Sequence, residues 1–296
     1  MTRTILVFGR SGQVARELAK VGAPAGFELA FAGRETLDLA SGADPAALIA
    51  DLAPAAVINA AAYTAVDRAE SEPDAAFRLN RDAPAAMAAA CARADAPFVH
   101  FSTDYVFDGT KPSPYVEDDP VGPTGVYGLS KAEGEAGVLA AGGAATILRT
   151  AWVFSAFGAN FVKTMLRLGE SRPEVAVVAD QLGRPTWAED CARAALRATQ
   201  ALLDRDPAAS GVLHLSGAGD ATWADFAEAI FEESAARGGR RPQVRRIASA
   251  DYPTAARRPA NSRLDCGRIL QVLGWEARPW REGLAACFDE METIKA

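Results

Sequence analysis

The chain has 296 residues, of which 49% are hydrophobic and 23% charged, and its formal net charge is -7 at pH 7. That length supports one large α/β body with an appended lobe, and that balance excludes a disordered or fibrous chain. The acidic total offers no footprint for a nucleic-acid polymer. Four scattered cysteines without C-x-x-C spacing, in a chain with two histidines, argue against structural zinc and read as buried thiols of a reducing compartment.

In chain order, Ile5 to Phe8, Leu29 to Ala32, Val57 to Ala61, Phe98 to Phe101 and Ala145 to Leu148 are short apolar runs of the kind that form parallel strands buried on both faces. Helices are expected between them at Val14 to Lys20, Pro45 to Leu52, Pro73 to Ala94 and Tyr127 to Leu139. The alternation predicts an α/β fold with a Rossmann-like, doubly wound parallel sheet. The opening apolar run is too short for a signal peptide or a membrane span, so a cytoplasmic location and no membrane partner are expected.

After Trp152 the rhythm changes. A helix is expected at Phe161 to Gly169, a strand at Val175 to Ala179, a helix at Ala188 to Leu203 and a strand at Val212 to Ser216. The remainder, rich in arginine and proline from Arg240 to Pro259, reads as loops and short elements of a smaller C-terminal substrate lobe. The expected division is 1–154 with 186–216 for a dinucleotide-binding body, and 155–185 with 217–296 for the lobe, with a ligand cleft between them.

Gly9, Arg10, Ser11, Gly12, Gln13 and Val14 follow the first strand and open the first helix, where backbone N–H groups and the positive helix end can face a pyrophosphate. At the tip of the second strand, where an acid would meet a free ribose 2'-hydroxyl, stand Gly33 and Arg34. With Arg10 in the first turn, two guanidiniums suit a 2'-phosphate, so NADPH is expected ahead of NADH. Glu35 follows and can face the same ribose.

Ser102, Thr103 and Asp104 lie at the end of a strand, where open α/β sheets place their ligands. Further on, Tyr127 and Lys131 share one helix face through i,i+4 spacing. A phenol with an ordinary pKa of about 10 becomes a better acid and base when a neighbouring ammonium lowers it. This pairing therefore predicts proton transfer to a carbonyl that receives a hydride. Alone, a Tyr-x-x-x-Lys face is an ordinary surface pair; the glycine turn and the hydroxyl-bearing strand end give it meaning.

Gly9-x-x-Gly12-x-x-Ala15, Asn59-Ala60-Ala61, Asn80, Ser102-Thr103 and Tyr127-x-x-x-Lys131 together resemble the extended branch of the short-chain dehydrogenase/reductase superfamily. Ala15 departs mildly from the usual glycine. Within that branch, the runs 59–70, 102–109, 149–154, 160–165, 180–186 and 258–265 are similar to the dTDP-4-dehydrorhamnose reductases. The resemblance implies reduction of the C4 ketone of a dTDP-linked keto-deoxy sugar. It makes Tyr127 the proton donor, Lys131 its electrostatic partner and ribose clamp, and Thr103 the hydroxyl that tunes the tyrosine.

It further implies that Asp38, Leu39, Ala61, Ala62, Tyr63, Thr64 and Ser102 join the cofactor pocket, and that Thr103, Asp104, Trp152 and Asn160 meet the substrate. Arg184, Asn261 and Arg263 stand as phosphate or base contacts of the second lobe, with loop packing as the plainer reading. Some relatives dimerise through Mg2+ held by glutamates, and Glu17, Glu189 and Glu290 occupy similar positions; taken singly, each reads as a solvated surface side chain. A monomer or a homodimer is expected. An epimerase or dehydratase on the same scaffold, or a non-catalytic NADP-binding regulatory subunit, is the competing reading.

Overall fold

Short apolar runs become strands here because helices cover both faces of the sheet they build. The computed structural model describes residues 2–295. In chain order its elements are β1 (Arg3–Phe8), α1 (Gln13–Val21), β2 (Phe27–Ala32), α2 (Pro45–Leu52), β3 (Ala56–Asn59), α3 (Val66–Ala69), α4 (Pro73–Phe77), α5 (Ala83–Arg93), β4 (Phe98–Thr103), α6 (Val126–Ala140), β5 (Ala145–Thr150) and β6 (Val153–Phe154). They continue as α7 (Phe161–Ser171), β7 (Glu174–Val178), β8 (Leu182–Gly183), β9 (Thr186–Trp187), α8 (Ala188–Leu203), β10 (Gly211–Leu215), β11 (Ala221–Thr222), α9 (Trp223–Ala236), β12 (Gln243–Ile247), α10 (Gly267–Leu273) and α11 (Trp280–Lys295).

Six strands form one parallel sheet in the order β10-β5-β4-β3-β1-β2. β3 and β5 are buried at every residue, which is why their sequences read as unbroken apolar runs instead of alternating ones. One face is covered by α1, α8 and α10, through Leu18, Ala195, Leu202, Ile269 and Leu273. The other is covered by α2, α5 and α6, through Ile49, Met87, Cys91 and Val138. The chain order reverses between β1 and β3, and a crevice opens at such a point outside the carboxyl ends of the strands.

A second core gathers Val162, Met165, Val175, Phe226, Ile230, Phe231, Leu284 and Phe288, from α7, α9, α11 and the two-stranded β7–β12 ribbon. This lobe is more helical than its sequence suggested, since α9 and α11 lie in the stretch expected to hold loops and short elements. The start of α9 carries a readable signal: Thr222 accepts from the Asp225 N–H at 3.1 Å while the Asp225 carboxylate accepts from the Thr222 N–H at 2.8 Å, a capping box.

The helix expected across Pro73 to Ala94 forms as one continuous helical stretch but widens part-way. α4 passes into a π-helical turn at Arg78–Asp82 before α5 begins. Pro84 explains the widening, because in a regular α-helical turn its ring would clash with the carbonyl four residues earlier, that of Asn80. Among the described residues no helix is long and apolar enough to cross a membrane.

Candidate active site

The floor of the crevice is set by backbone. Phe8 and Asn59 are register partners on β1 and β3, so the chain leaves both strands side by side. Gly9 turns away at φ +103°, and a Cβ there would lie 3.1 Å from the Ala60 carbonyl carbon and oxygen. Gly12 precedes α1 without any side-chain cap, which leaves first-turn N–H groups directed toward the crevice. Gln13 is held in place, its Oε1 accepting from Asn160 Nδ2 at 3.0 Å.

A cavity of about 1330 Å³ runs from this turn, past the end of β4, into the second lobe. Ser11, Gly12, Gln13, Val14, Ala61, Ala62, Thr64, Ser102, Thr103, Asp104, Tyr127, Lys131, Trp152 and Asn160 all line it. The cavity therefore brings together residues spread over 150 positions of sequence. Asn160 lines it with its side chain already engaged: Oδ1 caps α7 by accepting from the Lys163 N–H, while Nδ2 donates to Gln13, Ser155 and Phe157.

α6 is aimed by close contacts at its start and middle. Its first N–H, that of Val126, donates to Glu70 Oε1 at 2.9 Å. A Cβ at Gly128 would fall 2.2 Å from the Tyr105 carbonyl oxygen, and one at Gly134 would fall 2.0 Å from that of Asn80. Asn80 Nδ2 also donates to Ser130 Oγ at 3.1 Å. The wide turn at Arg78–Asp82 thus serves as the seat of α6, and Tyr127 is fixed against Tyr105 in an edge-on contact at 5.5 Å.

Lys131 does not lower the Tyr127 phenol as expected. Burial drives that phenol above its ordinary value, with the Thr103 hydroxyl pulling the other way and Asp104 and Tyr105 adding to the rise. The reason is geometric: the Lys131 ammonium nitrogen points to the Phe101 carbonyl at 2.5 Å and to His100 Nε2 at 3.2 Å, not to the phenol. Burial brings Lys131 down to about 8, opposed by the charge of Glu135.

Asp104 is buried and raised to about 6 by that burial, against the Ser262 and Thr103 hydroxyls. Its Oδ1 accepts from Thr103 Oγ1 at 3.1 Å, whereas its Oδ2 and the neighbouring Ser102 Oγ have no partner. Buried polar atoms are normally satisfied, and these two stand unpartnered at a strand end that lines the cavity.

Trp152 lies at φ +51°, a region non-glycine residues rarely occupy. Its indole stacks on Trp223 at 3.6 Å and rests on Gly183, where a Cβ would come within 2.3 Å of Trp152 Cε2. Several cavity residues went unnamed in the sequence reading. Arg258 is the most informative: its guanidinium donates to Tyr105 Oη at 3.0 Å and to Asp67 Oδ2 at 2.5 Å. It belongs to the same 258–265 run as Asn261 and Arg263.

Those two, with Arg184, do not line the cavity. Arg184 and Arg263 both pair with Asp220, at 2.8 and 2.9 Å, and Asn261 Nδ2 donates to the Lys111 and Ser113 carbonyls. Asn261 and Arg263 thus hold the 108–115 loop, Arg263 by donating to the Pro112 carbonyl, while Arg184 donates to the Leu264 carbonyl at 2.7 Å. Gly9, Arg10, Arg34, Asp38, Leu39 and Tyr63 also fall outside the cavity lining. Asp38 caps the short turn Leu39–Ser41, Leu39 is core, and the Tyr63 hydroxyl donates to Glu72 at 2.6 Å. Arg10 pairs with Glu35 at 2.8 Å, both exposed, and Glu35 folds back over Gly33.

Glu17, Glu189 and Glu290 converge, although each taken singly read as solvated. Glu17 is fully buried, and all three carboxylates meet the Lys20 ammonium, at 2.8, 2.7 and 2.5 Å. Burial works against the Lys20 charge, but the three carboxylates outweigh it and hold its pKa above the ordinary value. Among the described residues no cluster of His, Cys, Asp or Glu has the geometry of a metal site.

The family model for the RmlD substrate binding domain matches residues 2–293. A dTDP-4-dehydrorhamnose reductase of Sinorhizobium fredii is 48% identical over 94% of this chain and 94% of its own length. One of Burkholderia thailandensis is 44% identical, covering 97% of this chain and 98% of its own. The chain belongs to the dTDP-4-dehydrorhamnose reductase family. Among solved members, the crystal structure of the reductase from Bacillus anthracis in complex with NADP superposes with a TM-score of 0.88 at 32% identity, over 98% of this chain and 100% of that one. A Clostridium acetobutylicum reductase reaches 0.89 at 35% identity, over 98% and 99%. The likeness to dTDP-4-dehydrorhamnose reductases spans both lobes, so it covers the cavity end to end.

Proposed function

We propose that this chain reduces the C4 ketone of dTDP-4-dehydro-β-L-rhamnose to the alcohol of dTDP-L-rhamnose, using NADPH. The observation that carries this reading is the meeting of Thr103, Tyr127 and Lys131 on the wall of one cavity that also holds the glycine turn and the Trp152–Trp223 stack. NADPH, when bound, supplies the hydride for the ketone carbon.

The chain supplies the rest. Tyr127 is protonated throughout the neutral range, the state a donor to the carbonyl oxygen requires. Thr103 sets the orientation of that phenol, and Lys131 steadies the charge left on the phenolate oxygen and holds a ribose hydroxyl. Asp104 Oδ2 and Ser102 Oγ take the hydroxyls of ligands, which supplies their missing partners. The two stacked indoles offer a flat apolar surface for a base or sugar ring, and Arg258, which also lines the cavity, offers a guanidinium for the diphosphate.

At the mouth of the glycine turn, Arg10 and Arg34 favour the 2'-phosphate of NADPH over the free hydroxyl of NADH. The phosphate competes with Glu35 for Arg10. A metal-bridged dimer finds no support in the donor set, because the Lys20 ammonium occupies the point where the three glutamates meet. Light scattering with and without EDTA checks this: the expected mass is unchanged, and a mass that halves on chelation overturns it.

The test of the function is NADPH oxidation with the dTDP-keto sugar, run beside its UDP- and GDP-linked counterparts. Turnover with the dTDP sugar that falls on the order of a hundred- to ten-thousandfold in Tyr127→Phe is the expected result. Full activity in that variant, or turnover with another nucleotide alone, overturns the reading.

A further inference from the structure

Asn59 and His100 are register partners on β3 and β4, so their side chains stand together on one face of the sheet, beneath α6. Both are buried. The Asn59 amide is oriented unambiguously, because its Oδ1 accepts from the Ala61 N–H at 3.0 Å. Its Nδ2 therefore faces His100 Nδ1, at 3.1 Å, as a donor. His100 Nδ1 must accept, and a neutral imidazole that accepts at Nδ1 carries its proton on Nε2. That Nε2–H points at Lys131 Nζ, 3.2 Å away, while Lys131 itself donates to the Phe101 carbonyl.

A charged Lys131 would set two donors against each other. A neutral amine accepts from His100 and closes an unbroken chain of hydrogen bonds, running from the Ala61 N–H through Asn59, His100 and Lys131 to the Phe101 carbonyl. We propose that Asn59 and His100 are positioning residues that set the protonation of Lys131 in the protein alone, favouring its neutral amine over its ammonium. The proposal rests on the reading of Lys131 as the partner of Tyr127 only for its catalytic consequence.

The surroundings agree with it. Burial holds His100 neutral, well below its ordinary value. The other charge bearing on Lys131 is Glu135, one turn further along α6 and neutralised by Arg149 of β5 at 2.7 Å, while Asp104, in the loop after β4, bears on Tyr127 instead. Neither offers Lys131 a carboxylate partner of its own.

The chain holds two histidines, His100 and His214, so ¹⁵N NMR of the imidazoles resolves each with one control variant, His214→Gln. In the protein without nucleotide, His100 is expected as the neutral Nε2–H tautomer at pH 9, where Lys131 is an amine. An Nδ1–H tautomer or an imidazolium overturns the proposal. Asn59→Asp supplies an acceptor on both sides and reverses the chain: His100 is expected to switch to Nδ1–H, and the Lys131 Cε shift at pH 9 to move to that of an ammonium. An unchanged tautomer in N59D overturns the proposal too, and if that variant fails to fold the wild-type spectrum still decides. A failed sugar assay leaves the tautomer result standing, and the wrong tautomer leaves the reductase reading standing.

Discussion

Lys20 on α1 and Lys131 on α6 carry the same side chain into opposite surroundings. Lys20 is about a third exposed and faces three carboxylates; Lys131 is buried and faces an imidazole and a carbonyl. The first is locked in its charged form, while the second is brought down to about 8. The contrast teaches that burial alone does not decide what a lysine does. Paired carboxylates make it a structural clamp, and neutral dipoles leave it free to gain or lose a proton near the working pH.

The two sites differ in the pH dependence of stability. Lys131 has a folded pKa below its unfolded value of 10.5, so it costs stability below about pH 8, and that cost is relieved as pH rises through 8 toward 10.5. Lys20 has a raised folded pKa, so its contribution is fully present below 10.5 and is lost only as pH rises beyond that value.

The largest expected effect breaks the catalytic side. Lys131→Met should lower kcat on the order of a hundred- to ten-thousandfold, with a urea midpoint at pH 7 no lower than that of the wild type. A large loss of stability would make Lys131 a clamp as well. Next, Lys20→Met should leave kcat intact but cost about 2 kcal/mol, less than a fully buried pair because of its exposure. Chemical denaturation reads it, and the loss should shrink as pH falls and Glu17 and Glu189 protonate; a loss independent of pH would contradict the pairing.

Smaller effects sharpen the ligand end. Gly183→Ala pushes on the Trp152 indole and should raise the sugar KM about tenfold, with kcat nearly unchanged. An unchanged KM would place the sugar away from the two indoles. The mildest is Glu35→Gln, which frees Arg10 and should increase the NADPH-over-NADH ratio of kcat/KM about two- to fivefold. A fall in that ratio would mean that Glu35 assists the 2'-phosphate end.

How far the sequence foretold these sites depends on what kind of information each needs. The sheet and the Tyr127–Lys131 face were legible because buried runs and i,i+4 spacing are local patterns. The Lys20 cluster was not, since Glu17, Glu189 and Glu290 come from three helices and no spacing announces their convergence. Arg258 and Arg263 illustrate a second limit. They sit five positions apart in a loop without periodicity, and only Asp67 and Tyr105 on one side, and Asp220 on the other, decide which guanidinium enters the cavity. The direction of the Tyr127 shift was misjudged for a related reason: helix spacing brought Lys131 near, but β4 supplied the Phe101 carbonyl and His100 that turn its nitrogen away.

The central claim is hydride transfer from NADPH to the sugar C4. The most direct measurement incubates the enzyme with NADPH deuterated at the nicotinamide C4 and with dTDP-4-dehydro-β-L-rhamnose, then locates the label by NMR. One deuterium at C4 of dTDP-L-rhamnose, in step with NADPH consumed, is the predicted result. An unlabelled product, or rearranged sugar with no net NADPH oxidation, would contradict it.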